Sequence, residues 1–454
     1  MRKDLTTGNA ARTLFVFAVP FFVSYFLQTL YGLADLFIIG RYNGAASITA
    51  VSVGGQVMHM LTVVLVGLAM GSTVMIGRAV GAKDRAAAAK HIGNTVTGFF
   101  VLSLLLTVLL LFLVNRVVSL MSTPAEAVTE TTFYLIICFA GIPFITAYNI
   151  VGAVFRGLGD SRSPTYFIAV ACVLNVALDF LLIGGFSMGA VGAALGTMIS
   201  QAVSVMSALF FVRRRGLGVG LCRSDLLPDR GVIGGILKVG VPVSLQDWFI
   251  QFCFLLIMII ANRRGVDIAA AVGIVERIIG ILFLIPSSML AAVSAIVAQN
   301  VGANRHDRAR ATLRYALMTC FLCGACFALL FQFVSEPVIA LFTDVPAVIV
   351  YGGQYLRAYV IDCMFAGIHF CFSGFFCAYG LSVISFVHNA VSAALIRVPG
   401  AYLASVLFVS TLYPMGLAAP LGSVLSDVIC AVVFIVLAKK RHREWMGKYD
   451  SAAA

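Results

Sequence analysis

The sequence predicts an all-α membrane protein whose twelve transmembrane helices form two pseudo-symmetric six-helix bundles, and three observations predict it. Of 454 residues, 61% are apolar and 11% are charged, against about 45–50% and about 25% in a soluble domain. The apolar character, a mean hydropathy of +1.03, persists from Thr13 to Leu437 in runs long enough to cross a bilayer core of about 30 Å, which takes roughly 20 residues. Short motifs also recur at a nearly constant offset across the middle of the chain. This composition excludes a soluble globular enzyme and leaves little chain for a soluble domain.

Unpaired backbone groups are not tolerated in lipid, and the runs are too long for barrel strands, so each run is read as a helix. The first-half spans are 13–39, 47–76, 93–114, 131–155, 164–184 and 189–212. The second-half spans are 234–261, 268–299, 312–334, 348–376, 384–408 and 415–438. Basic residues between them orient the chain. With the N-terminus inside, twenty-four of the 31 Lys and Arg fall in inside segments, four (Arg41, Arg116, Arg263, Arg264) in outside loops, and Arg277, Arg357 and Arg397 within helices. That bias places both termini in the cytoplasm. No cleaved leader is expected, because the apolar stretch after Met1-Arg2-Lys3-Asp4 is much longer than a signal-peptide core.

The longest connection, Arg213 to Gly231, is rich in Gly and Arg and reads as a flexible cytoplasmic linker. The expected organisation is a lobe over 1–215, a linker over 216–231, a lobe over 232–443 and a cytoplasmic tail over 444–454. Around the linker the chain repeats itself. Ala18-Val19-Pro20 returns as Gly240-Val241-Pro242, Val80 to Lys83 as Val301 to Asn304, and Phe155 to Gly159 as Phe376 to Gly380, at offsets of 221 or 222. Ala194 to Gln201 is echoed later by Pro420 to Asp427. Six crossings per repeat is an even number, so the halves are parallel repeats of the kind that typifies transporters, with a site near the midplane. The only Gly-Lys pair, Gly447-Lys448, lacks the following Ser or Thr of a nucleotide-binding loop, which leaves an ion gradient or the substrate's own gradient as the energy source. The net charge of +12 reflects loop orientation rather than nucleic acid. The eleven Cys read as packing residues.

A carboxylate at the centre of a membrane helix costs about 2.5–3.5 kcal/mol on insertion scales, so each needs a reason. Six fall within the predicted spans: Asp35, Asp179, Asp247, Glu276, Asp362 and Asp427. Asp35 shares a helix face with Gln28 and Tyr31, seven and four residues earlier. Asp179 follows Asn175 by one turn, so carboxylate and amide project together. Such groups can bind a proton or a dehydrated small cation; the alternative is a polar contact that fixes helix register.

Leu27-Gln28-Thr29-Leu30-Tyr31-Gly32-Leu33-Ala34-Asp35 and the following Leu36 to Arg41 resemble the first-helix signature of the multidrug and toxic compound extrusion transporters. Ile76 to Ala82 resembles that family's motif after the second helix, and Phe155-Arg156-Gly157-Leu158-Gly159-Asp160-Ser161-Arg162-Ser163-Pro164 its motif after the fourth. The resemblance covers essentially the whole chain. It implies export of amphipathic, often cationic organic compounds in exchange for H⁺ or Na⁺. The expectation for the chain is a non-enzymatic plasma-membrane protein, a monomer, with no cofactor beyond the coupling ion. The resemblance also implies a cation site in the first lobe at Asp35, Asn175, Asp179 and Thr197.

Two positions depart from the family pattern. Where part of the family has a glutamate in helix 7, this chain has Gln251, with Asp247 one turn earlier; Arg78 also stands where Gln is more usual. Gln28, Tyr31, Asp247, Gln251 and Asp362 are candidate contacts for substrate or a second cation. Asp362 has Arg357 near it in sequence, but close neighbours on a helix do not face each other, so its competing reading is a structural ion pair across helices, with Arg397. Pro20 and Pro242, at matching depth in helices 1 and 7, are candidate hinges or static kinks. His59, His369 and His388 are too separated in sequence to suggest a metal site. The rival functions are a flippase for a lipid-linked sugar or other lipid and, behind it, a membrane-embedded enzyme.

Overall fold

The computed structural model describes residues 4–440; the tail 444–454, Gly447-Lys448 and the terminal basic residues Arg2, Lys3, Arg441 and Arg443 lie outside them. Its regular elements are helical throughout the described residues. In chain order they are α1 (Ala10–Tyr42), α2 (Ala45–Gly81), α3 (Arg85–Leu120), α4 (Val128–Ala140), α5 (Ile142–Gly157), α6 (Arg162–Asp179), α7 (Gly189–Arg215) and α8 (Arg230–Asn262). Then follow α9 (Val266–Leu282), α10 (Leu284–Gly302), α11 (His306–Ala340), α12 (Pro346–Tyr359), α13 (Asp362–Ala378), α14 (Ser382–Ser392), α15 (Val398–Leu407) and α16 (Tyr413–Lys440). Ten helices or continuous helix runs are long and apolar enough to span a membrane. The bent pairs Ala125–Ala140 with Ile142–Gly157 (50°) and Pro346–Tyr359 with Asp362–Ala378 (43°) raise the number to twelve, at the positions the hydropathy predicted.

Several helices run past the apolar stretches. α3 begins at Arg85 and α11 at His306, because helical hydrogen bonding continues into the polar region until a cap stops it. Short π-helical segments at Phe180–Gly185 and Ala393–Arg397 follow α6 and α14 within their spans; no hydropathy pattern marks them.

Two of the repeated motifs are helix stops. After α2 the Asp84 amide bonds the Ala79 carbonyl at 3.0 Å, and after α10 the Arg305 amide bonds Asn300 at 2.8 Å. After α5 Asp160 reaches back to Phe155 at 2.9 Å, and after α13 Leu381 reaches Phe376 at 2.8 Å. These six-to-one bonds close Schellman turns. The turns require left-handed residues at Lys83, Asn304, Gly159 and Gly380, whose φ values are 59°, 56°, 83° and 73°. Asp84 then caps α3 by accepting from the Ala87 amide at 2.9 Å, and Asp160 caps α6 by accepting from Arg162 and Ser163 at 3.0 Å each.

The described chain divides into two compact units. One comprises Asp4 and Val19–Ser244; the other comprises Leu5–Ala18 and residues 245–440. In the first unit, the opening of α8 packs on α2 at near backbone contact: a Cβ on Gly71 would lie 2.1 Å from the Ile236 carbonyl oxygen, and one on Gly240 2.5 Å from that of Leu68. Ser244 donates to the Val64 carbonyl at 2.8 Å.

The linker differs from the flexible segment its glycines suggested. Its second half lies on α3, where Asn94 donates to the Asp225 carbonyl at 3.2 Å and accepts from the Asp229 amide at 2.6 Å. Thr97 donates to Leu226 at 2.8 Å, and Lys90 pairs with Asp229 at 2.7 Å. Gly93 permits the approach, since a Cβ there would stand 2.1 Å from the Asp225 carbonyl oxygen. In the second unit, Leu5 is fully buried, and the segment around it is held by Arg308, which donates to the carbonyls of Leu5 (3.2 Å), Thr7 (2.6 Å) and Gly8.

Candidate functional site

In the first unit α1, α6 and α7 bring together the four residues carried over from the family resemblance. Asp35 is buried in the second half of α1, and Asn175 and Asp179, one turn apart on α6, are 1% and 0% exposed. Asn175 donates its amide to the Thr197 hydroxyl of α7 at 3.4 Å. The Asp35 carboxyl interacts with Asp179, Asn175 and Thr197. Yet Oδ1 of Asp35, Oδ1 of Asn175 and both carboxylate oxygens of Asp179 have no hydrogen-bond partner. Four buried oxygens converging without donors form the donor set of a small hard cation or of a proton shared between carboxyls.

Two local features hold the carboxylates there. Asp179 is the last residue of α6 before the π-helical turn Phe180–Gly185, a widened turn that re-aims side chains and frequently marks functional sites. Gly196 on α7 makes the space: a Cβ at that position would fall 2.5 Å from Asp179 Oδ1. Leu195-Gly196-Thr197 lies within the Ala194 to Gln201 stretch that the sequence repeats, but a glycine in an apolar span by itself points no further than close helix packing.

Around this centre, Gln28 donates to the Tyr148 hydroxyl at 3.3 Å. Tyr31 and Tyr134 lie in electrostatic range of Asp35. Tyr134 was not anticipated; its ring occupies the place where Gly54 of α2 lacks a side chain, with a Cβ there only 2.3 Å from Cδ1. Pro20 sits inside an unbroken α1. Its carbonyl accepts from Ser24 at 2.8 Å and from Thr165 of α6 at 2.9 Å, so the proline is tied to the helix that carries Asn175 and Asp179.

The remaining candidates lie elsewhere. Pro242 is inside α8 and belongs to the first unit. Asp247 and Gln251, one turn apart on α8, and Asp362, at the start of α13, belong to the second. Arg357 pairs with Glu336 at 2.9 Å, not with Asp362. Asp362 is 0% exposed, both its oxygens lack a partner, and it lines a cavity with Arg397, His369, Asn389, Ser423 and Ser426. Arg397 lies over the Phe254 ring at 4.8 Å and donates to the Tyr359 hydroxyl. His369 and His388, distant in sequence, meet with ring centroids 5.6 Å apart. The one sequence signal for this was the seven-residue step from Asp362 to His369, two turns along one helix face. Among the described residues no group of three or more His, Cys, Asp or Glu is arranged to hold a metal ion.

The profile of the MatE family matches residues 20–181 and again 242–403. The probable multidrug resistance protein YpnP of Bacillus subtilis (strain 168) is 28% identical over 397 residues, 87% of this chain and 88% of that protein. The multidrug export protein MepA of Staphylococcus aureus (strain NCTC 8325 / PS 47) is 24% identical over 423 residues, 93% and 92% of the two chains. A solved structure of the outward-facing conformation of a multidrug resistance MATE family transporter superposes with a TM-score of 0.88 at 22% identity, covering 96% of this chain and 98% of its own. A crystal structure of MATE in the straight conformation reaches 0.87 at 22% identity, covering 97% and 98%.

Proposed function

The chain belongs to the MatE family, and on that premise we propose that it is a secondary active multidrug exporter, an antiporter in which H⁺ or Na⁺ drives the export of amphipathic, often cationic organic compounds. The observation that carries the reading is the set of unpartnered oxygens on Asp35, Asn175 and Asp179. Two carboxylates close together inside a membrane bundle do not both persist as bare charges, because each is costly there and each repels the other. A proton or a small cation relieves both penalties. Occupancy of the site therefore changes the local charge of α1 and α6, and Thr165 and Pro20 link the same two helices one end further along.

Export requires that ion binding favour the state that releases substrate; by reciprocity, substrate then weakens ion binding. The two lobes would expose the substrate site to the two sides of the plasma membrane in turn, with both termini cytoplasmic as the charge bias indicates. The protein would act as a monomer, with no cofactor beyond the ion.

Ethidium efflux from cells that overproduce the protein tests the assignment. Asp35→Asn and Asp179→Asn, each at normal membrane levels, are expected to abolish efflux. Full efflux in the Asp35→Asn variant would remove the ion site from the mechanism.

A further inference from the structure

The second unit contains a polar column that the Asp35–Asp179 reading does not use. It begins at the cavity beside Asp362, which has about 50 Å³ of room for water; a single water needs roughly 10–15 Å³ by this measure, so several fit. His369 Nε2 lies 3.4 Å from the Ser423 hydroxyl, and its Nδ1 is buried without a partner. The next ring, His388, is fully buried and bridges two helices, with Nδ1 3.3 Å from Ser426 of α16 and Nε2 3.0 Å from Ser373 of α13. From there the Ser385 hydroxyl donates to the Ser373 carbonyl at 3.3 Å and lies 3.7 Å from the Cys377 thiol. Cys377 and Ser385 flank the turn that joins α13 to α14. The fifteen residues from Asp362 to Cys377 rise about 22 Å in a helix, more than half the hydrocarbon thickness.

A neutral imidazole accepts a proton at one ring nitrogen and releases one from the other, and a serine hydroxyl rotates between donor and acceptor. Packing alone does not account for the arrangement, because fully satisfied networks rigidify a core whereas unpartnered buried groups destabilise it. Here the open positions, both oxygens of Asp362 and Nδ1 of His369, lie at the cavity end.

We propose that His369 and His388, with Ser373, Ser423 and Ser426, form a proton path by which Asp362 exchanges protons with the aqueous face at the α13–α14 turn. The charged and titratable groups facing this column are Asp247 and Cys253 of α8, Glu276 of α9, Cys320 of α11, Tyr355 and Tyr359 of α12, Cys363 and Cys371 of α13, Arg397, and Asp427 of α16. Arg397 in the cavity wall places a like charge near a protonated ring, so the rings pass protons on rather than hold them. The path lies within the second unit and is independent of the ion assignment in the first.

The test is the rate at which Asp362 takes up a proton after a pH jump, followed by time-resolved infrared spectroscopy of the full-length protein in lipid nanodiscs. Its carboxyl band is identified by its disappearance in Asp362→Asn. His369→Gln and His388→Gln keep amide contacts to the serines but cannot relay, and each is expected to slow uptake by roughly a hundredfold. Ser373→Ala, which leaves both rings in place, is expected to slow it as well. Imidazole added to His388→Gly is expected to restore the rate. Unchanged rates in both Gln variants, slowing that imidazole does not relieve, or an Asp362 band that ignores pH would each overturn the path.

Discussion

Asp179 and Gly196 belong to different helices, and one fixes what the other can be. The Asp179 carboxylate occupies the volume that a methyl group on residue 196 would need, so Gly196→Ala must displace an oxygen of the proposed ion site while leaving its charge intact. Misplacing a functional group by about 1 Å costs on the order of a hundredfold in rate. Gly196→Ala is therefore expected to lower ethidium efflux at least roughly tenfold with normal membrane levels, approaching the defect of Asp179→Asn. Wild-type efflux in that variant would show that the carboxylate's position does not matter. Asp35, Asn175 and Asp179 were legible in the sequence because acids and amides stand out in apolar spans. Tyr134, Gly54 and the meeting of His369 with His388 were not, since each depends on which helices pack together.

At the scale of elements, the linker and the segment before α1 are each pinned by a few side chains of neighbouring helices. Asn94 is buried and satisfies two backbone groups of the linker; leaving such groups unmade costs about 1–3 kcal/mol. Asn94→Ala should therefore expose the 216–229 segment to limited proteolysis, whereas Lys90→Ala, which breaks an ion pair that solvent screens, should change it much less. The Lys90 ammonium and the amides of Val232 and Gly231 hold the Asp229 carboxyl below the usual carboxylate range. A carboxyl lowered in the folded state contributes stability above its ordinary value near 4 and loses it as pH falls through the lowered value. Proteolysis of this segment with an acid-active protease should accordingly rise on acidification below about pH 4, and a pH-independent cleavage rate would refute the latch. Arg308→Ala is likewise expected to raise hydrogen exchange at residues 5–8, where it holds the carbonyls of Leu5, Thr7 and Gly8.

For the molecule as a whole, the twelve spans, the repeat and the family were readable because lipid demands long apolar helices and because two of the repeated motifs encode helix stops. The bends were read less well. The break before α5 has a signal in Pro143, close to its start, but the one between Tyr359 and Asp362 has none. Nor does chain order reveal that Leu5–Ala18 joins the unit formed mainly by the second half, because that allegiance rests on tertiary contacts such as Arg308 with the Leu5 carbonyl. The central claim, that an ion held by Asp35 and Asp179 powers export, is tested most directly by substrate transport in proteoliposomes under H⁺ and Na⁺ gradients imposed separately. At least one gradient should drive transport by the wild type and neither should drive it in Asp35→Asn; gradient-driven transport of equal rate in that variant would contradict the account.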